Sequence, residues 1–125
     1  MNGPSIPPRP VVLLVEDEFL VRMATADALE DAGFEVIETA NAQAAQDVLA
    51  NRADVQVVFT DVRMPGPMDG LELASLIRRQ WPHILVVVTS GHLKPESGSL
   101  PDRTVFIPKP YSEKAPAALI QALLS

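Results

Sequence analysis

The sequence predicts an α/β domain in which a five-stranded parallel sheet is covered by helices on both faces. Three observations lead there. The runs VVLLV (11–15), VQVVFT (55–60) and ILVVVT (84–89) are short, nearly continuous and rich in β-branched residues, the composition of strands buried on both faces. Segments with a helical spacing of apolar residues alternate with those runs, and such alternation builds a parallel sheet. The connections are short, so the crossovers are right-handed and few topologies remain.

The other elements follow in order. Leu20, Ala24, Ala28 and Ala32 share a face of a first helix, with Asp17 as its cap and Gly33 at its end. FEVIE (34–38) alternates apolar and acidic residues and reads as an edge strand. Asn41 caps a second helix carrying Ala45, Val48 and Leu49, and a third carries Leu73, Leu76 and Ile77, stops before Pro82 and is closed against the core by Trp81. The stretch SGHLKPESGSLPDR has two prolines, two glycines and no apolar periodicity, so a short or frayed fourth helix is expected there. TVFI (104–107) is the fifth strand. Ser112 caps the last helix, with Glu113 and Pro116 in its first turn and Leu119, Ile120 and Leu123 facing inward. A flavodoxin-like doubly wound sheet with strand order 2-1-3-4-5 satisfies this order.

Composition bounds the function. A chain of 125 residues, 47% of them hydrophobic, supports one core, so a Pro-rich N-terminal tail over 1–10 and a single domain over 11–125 are expected, without an attached output module. No apolar run approaches the roughly 20 residues that cross a bilayer, and the N-terminus has prolines where a signal peptide would need an apolar core. There is no cysteine, hence no disulfide or thiolate metal site, and a soluble cytoplasmic protein is expected. A net charge of −6 with scattered basic residues argues against direct contact with nucleic acid.

In a doubly wound sheet, groups just past the carboxyl ends of the strands converge on one crevice. Those positions hold Glu16 and Asp17 after the first strand, Asp61 after the third, Thr89 and Ser90 after the fourth, and Lys109 after the fifth. Each carboxylate pair about 5 Å apart costs roughly 3 kcal/mol at an effective dielectric of 20. A hard divalent cation relieves that cost, and Mg²⁺ suits a shallow site with few carboxylates and several waters. Carboxylate, cation, ammonium and hydroxyl together describe a phosphoryl-transfer site with Asp61 as nucleophile. Singly, each residue has an ordinary explanation: Asp61 as a turn cap, the acidic cluster as a complement to a helix dipole, Lys109 as a surface lysine, Phe106 as core. His83 and His92 lack metal-ligand spacing.

Four segments, VVLLVEDE, VVFTDVRMPGPMDG, VVVTSGH and FIPKPY, resemble the signature segments of bacterial response-regulator receiver domains of two-component systems, a resemblance that covers Val11 to Ser125. It implies that Asp61 is the phosphorylated aspartate and that Mg²⁺ is bound by Asp17 and Asp61, by Glu16 through water and by the backbone carbonyl of Arg63. Lys109 matches the lysine that pairs with the phosphoryl group, and its bond to Pro110 is expected to be cis, although X–Pro bonds are cis only about 5–6% of the time. Ser90 matches the switch hydroxyl, with Thr89 as the alternative, because Gly91 supplies the small residue that follows it in the family. Phe106 matches the aromatic switch position. The implied partners are a histidine kinase or histidine phosphotransfer protein and a downstream protein, with no nucleic acid or membrane contact, and the chain is a monomer or weak dimer. Such a domain is a signalling switch, not an enzyme acting on other substrates.

Two features depart from the commonest family pattern: one extra residue in MPGPMDG and the weak fourth helix. Both are similar to receivers fused to, or working beside, sensor histidine kinases of some Gram-negative bacteria. The alternative function is a pseudo-receiver that binds a partner without phosphorylation. An aspartyl-nucleophile phosphatase generally places a second Asp two residues after the first, where this chain has Arg63.

Overall fold

The computed structural model describes residues 9–91 and 100–125. Strand β1 (Val11–Val15) leads to α1 (Phe19–Asp31), β2 (Glu35–Thr39), α2 (Ala42–Asn51), β3 (Val55–Asp61), α3 (Gly70–Gln80), β4 (Leu85–Ser90), β5 (Thr104–Pro108) and α4 (Ala115–Leu124). All strand pairs are parallel and the sheet order is β2-β1-β3-β4-β5, as the alternation of elements predicts. Most of the Pro-rich tail and of the segment expected to form a fourth crossover helix lies outside the described residues.

Alternate strand residues point to opposite faces. Leu13 and Val15 of β1, Val58 of β3 and Val86 and Val88 of β4 pack with Ala45 and Leu49 of α2 and Leu73 and Ile77 of α3. On the other face, Val12 and Leu14, Val57 and Phe59, and Leu85 and Val87 pack with Leu29 of α1 and Ile120 of α4. Because both faces are covered, the central strands read as continuous apolar runs. Gln56 is the exception within β3: the β1–β3 register slips between Val11↔Val55 and Val12↔Val57, and the residue passed over stays exposed.

The middle helices follow the expected pattern. The Asn41 side chain accepts a hydrogen bond from the Ala44 amide at 2.8 Å, and Asp69 and Glu72 form a reciprocal capping box at the start of α3. Gly33 ends α1 with φ of 102°, a conformation that disfavours a side chain.

The two outer helices differ from expectation. The N-cap of α1 is Glu18, not Asp17, and its buried residues are Ala26 and Leu29, while Leu20 is 76% exposed. The expected face was three alanines and one leucine, which offer little area; Leu29 and the adjoining Phe34 bury more and set the rotation of the helix. Leu20, Ala24 and Ala28 instead line a groove of about 360 Å³ against Tyr111 and Pro116. Helix α4 begins at Ala115 with Lys114 at its N-cap, so Ser112 and Glu113 precede it. Ile120 is buried and Leu119 partly so, but Leu123 is exposed; Leu124, four residues beyond Ile120, takes the inward position because i+4 lies nearer the same face.

Helix α3 starts against the backbone of β3. The Gly70 amide donates to the Val62 carbonyl at 2.8 Å, and a Cβ at Gly70 would lie 2.1 Å from the Asp61 carbonyl oxygen. Only glycine allows this approach. Gly70→Ala should therefore cost about 1–3 kcal/mol in urea unfolding through a forced backbone shift. The same measurement tests the rotation of α1: Leu29→Ala should cost about 2–5 kcal/mol, and Leu20→Ala no more than about 0.5 kcal/mol. Comparable losses at both leucines would contradict the observed facing.

Candidate functional site

Parallel strands deliver their carboxyl ends to one edge of the sheet, and the edge at β1, β3, β4 and β5 gathers the polar residues. β3 ends at Asp61, β4 ends at Ser90, Glu16 follows β1 directly, and Lys109 follows β5 directly. The Lys109 Nζ lies 2.6 Å from Asp61 Oδ2 and 4.0 Å from Glu16 Oε1. The side chain of Asp61 is 11% exposed and that of Glu16 7%, so the ammonium bridges two largely buried carboxylates.

The turn after β1 is fastened at several atoms. The Glu16 amide donates to the Thr39 carbonyl at 3.0 Å, and Thr39 Oγ1 donates to the Leu14 carbonyl at 2.8 Å. Glu16 Oε2 accepts from the Glu18 amide at 3.1 Å, and the Glu16 carbonyl accepts from Arg22 Nη1 at 2.8 Å. Burial pushes the Glu16 carboxyl up to about 7, with the charge of Asp61 and a hydrogen bond with Asp17 adding to the effect. The Glu18 amide and Lys109 act in the opposite direction and do not offset it. For Lys109, burial alone would lower the ammonium, but the hydrogen bond to Asp61 and the attraction of Asp61 and Glu16 hold it above its ordinary value.

The remaining candidates fall around this pair. Asp17 is exposed beside Glu16. Arg63 is exposed, and its amide donates to Asp61 Oδ1 at 3.3 Å. Ser90 is buried at the end of β4, and its carbonyl accepts the Lys109 amide at 3.1 Å. Thr89 is also buried and is the Cα partner of Asp61 across β3 and β4; its Oγ1 has no hydrogen-bond partner among the described residues. Phe106 is half-buried in β5, against the cluster that contains Val88. The Lys109–Pro110 peptide is cis.

The donor chemistry fits a hard divalent cation. Glu16 links the two aspartates, hydrogen-bonded to Asp17 and within the field of Asp61, so three acidic residues stand at this edge with the single ammonium of Lys109. Among the described residues no group of three His, Cys, Asp or Glu side chains forms a ready-made metal cage. Mg²⁺ does not require such a cage, since it takes one or two carboxylates and completes its shell with water and phosphate oxygens.

Three further residues at the site have no role assigned from the sequence, although Tyr111 and Gly70 stand in the segments FIPKPY and VVFTDVRMPGPMDG. Arg22 is one polar residue of α1 among several. Tyr111, whose phenol is pushed up by burial, packs against Phe59 with ring centroids 6.3 Å apart. Gly70 reads as part of an ordinary helix start, and its contact with the Asp61 carbonyl is set by how α3 meets the sheet.

The response regulator receiver domain model matches residues 12–120, so the chain belongs to that family. It is 43% identical over 81 residues to the response regulator protein FleR of Pseudomonas aeruginosa, covering 65% of this chain and 17% of that protein. It is 36% identical over 117 residues to the sensor kinase CckA of Brucella abortus, covering 90% of this chain and 12% of that protein. The chain thus spans less than a fifth of the length of either relative. Among solved structures, a response regulator receiver protein from Sinorhizobium medicae superimposes with a TM-score of 0.83 at 30% identity, covering 93% of this chain and 94% of that one. The receiver domain of the hybrid histidine kinase CckA gives a TM-score of 0.78 at 30% identity, over 92% and 99% of the two chains.

A double-mutant cycle tests the central ion pair. Asp61→Asn and Lys109→Met should show a favourable coupling of about 1 kcal/mol in urea unfolding without Mg²⁺, reduced from the buried-pair range because Lys109 is a third exposed. Strict additivity would mean that the pair does not hold the two strand ends together.

Proposed function

We propose that this receiver domain accepts a phosphoryl group on Asp61 from the phosphohistidine of a histidine kinase or histidine phosphotransfer protein. The observation that carries the reading is the 2.6 Å contact between Lys109 and a largely buried Asp61 carboxylate, beside Glu16 and Asp17. Phosphoryl transfer asks the protein mainly to position the reactants and neutralise charge, and this edge of the sheet is equipped for both.

In the step, an Asp61 carboxylate oxygen attacks phosphorus and the P–N bond of the donor breaks. The departing imidazole keeps the electron pair and takes a proton from solvent. Lys109 then holds a phosphoryl oxygen, and the Ser90 hydroxyl, or that of Thr89, donates a hydrogen bond to another. Asp17 and Asp61, Glu16 through water, and the Arg63 carbonyl would hold Mg²⁺, which when bound neutralises charge on the transferring oxygens. The added dianionic charge draws the β4 hydroxyl inward and biases the surface near Phe106, which changes the affinity for a downstream protein. Exposed Phe19, Leu20 and Met23 at the start of α1 give the phosphodonor an apolar surface beside the crevice. On this reading the domain promotes its own aspartyl phosphorylation and dephosphorylation, works in the cytoplasm, and acts through protein partners without binding nucleic acid or membrane.

Acetyl phosphate or phosphoramidate with Mg²⁺ should add one phosphoryl group to the wild type and none to Asp61→Ala, read by intact mass. Equal labelling of the two would overturn the assignment of Asp61. No labelling of the wild type at millimolar Mg²⁺ would favour a pseudo-receiver.

A further inference from the structure

Arg22 sits one turn into α1 and is mostly buried, with a side chain 17% exposed. Its guanidinium touches three separate parts of the fold. Nη1 donates to the Glu16 carbonyl at 2.8 Å, Nε lies 3.5 Å from Glu38 Oε1 on β2, and the group stacks 5.5 Å from the centroid of the Phe19 ring. Local energetics do not account for it there. A cation near the start of a helix opposes the macrodipole, and a half-exposed ion pair with Glu38 contributes little.

The peptide that Arg22 grips is the one joining Glu16 to Asp17. On the strand side, the Glu16 amide is held by the Thr39 carbonyl, and the Glu16 carboxyl is turned back onto the Glu18 amide. The Glu16 carbonyl lies in this peptide plane, and Arg22 is the side chain that donates to it. With the Glu16 amide and carbonyl both held, the direction in which the Glu16 side chain leaves the backbone is fixed, and so is the position of the Asp17 Cα that follows.

We propose that Arg22 is a positioning residue for the divalent-cation site, orienting the Glu16–Asp17 pair through the Glu16 carbonyl. The inference rests on the reading of Asp17 and Asp61 as cation ligands. It makes a prediction opposite in sign to a simple charge effect. A second cation near the site repels Mg²⁺, so if charge alone mattered, removing Arg22 would tighten Mg²⁺ binding. If positioning matters, removing it weakens binding, because groups that orient metal ligands typically contribute about 10–100-fold in affinity.

The test is an Mg²⁺ titration followed by thermal shift on the whole chain. Arg22→Met should weaken the Mg²⁺ Kd by about tenfold or more. Glu38→Gln removes the ion pair but leaves the carbonyl bond, and should change Kd by less than about threefold. The half-saturating Mg²⁺ for labelling by acetyl phosphate should rise with Kd in Arg22→Met, while labelling at saturating Mg²⁺ recovers. Should Arg22→Met fail to fold, Arg22→Lys keeps the charge but loses the planar fork; weakened binding supports positioning and unchanged binding overturns it. Unchanged or tighter binding in a folded Arg22→Met also overturns the proposal. A wild type that shows no Mg²⁺ response brings down the cation-site reading itself, a result distinct from a wild type that responds and a variant that does not differ.

Discussion

The Lys109 ammonium, 2.6 Å from Asp61 and 4.0 Å from Glu16, is the charge that lets two largely buried carboxylates share one edge of the sheet. Burial still pushes the Glu16 carboxyl up to about 7, so the ammonium does not fully offset the cost of desolvating it. Three acidic residues, Glu16, Asp17 and Asp61, against one ammonium leave oxygen donors for a cation, and a cation there prepares the same edge for an incoming phosphoryl group. Neutralising the site fully within the protein would remove that affinity. The electrostatic imbalance is thus a condition of the function proposed for this domain and not a defect in packing.

That imbalance can be held only by a rigid frame. Both faces of the sheet are covered, α2 and α3 on one and α1 and α4 on the other, so the central strands have little freedom to shift along one another. Parallel pairing places the ends of β1, β3 and β4 side by side, and the ladder continues through Thr89, the partner of Asp61, and Ser90, the partner of Pro108. The amide of Val62 donates to the Thr89 carbonyl and that of Lys109 to the Ser90 carbonyl, so hydrogen bonding between neighbouring strands extends past the last ladder positions into the site. Asp61 and Lys109, 48 residues apart in sequence, meet because β4 lies between β3 and β5 and holds both neighbours.

Much of this was legible in the sequence. Continuous β-branched runs announce strands covered on both faces, and polar residues at their carboxyl ends announce a crevice, so the strand order and the grouping of Glu16, Asp61, Ser90 and Lys109 follow from pattern and topology. Helix α1 departs from its sequence pattern because it has two tasks. Its second half packs, through Ala26 and Leu29, while its first half carries exposed Phe19, Leu20 and Met23 and turns Arg22 back to the Glu16 carbonyl. A single amphipathic stripe drawn through both halves averages unlike environments, and the small alanines offer no large side chain to correct it. The roles of Arg22 and Gly70 are hidden in the sequence for a related reason: each acts through a backbone carbonyl, of Glu16 and of Asp61, and carbonyls leave no mark in a sequence.

The loop MPGPMDG, which the resemblance reads as one residue longer than the commonest form, is held by the same frame. Both ends of the loop are anchored: Thr60 Oγ1 contacts Met64 Sδ at 3.5 Å, Gln46 Nε2 contacts Met68 Sδ at 3.8 Å, and the Gly70 amide bonds to the Val62 carbonyl. Pro65, Gly66 and Pro67 between the anchors are exposed, and Gly66, at φ of 97°, makes a turn there that a side chain would strain. The apex is therefore the part of the loop free to take up a change in length, beside the cleft between this loop and the start of α2. It does not reach Asp61, whose carbonyl is fixed by the close seat of Gly70 and whose carboxylate is fixed by Lys109. A change of loop length at the apex alters the surface beside the crevice while leaving the geometry of Asp61 in place.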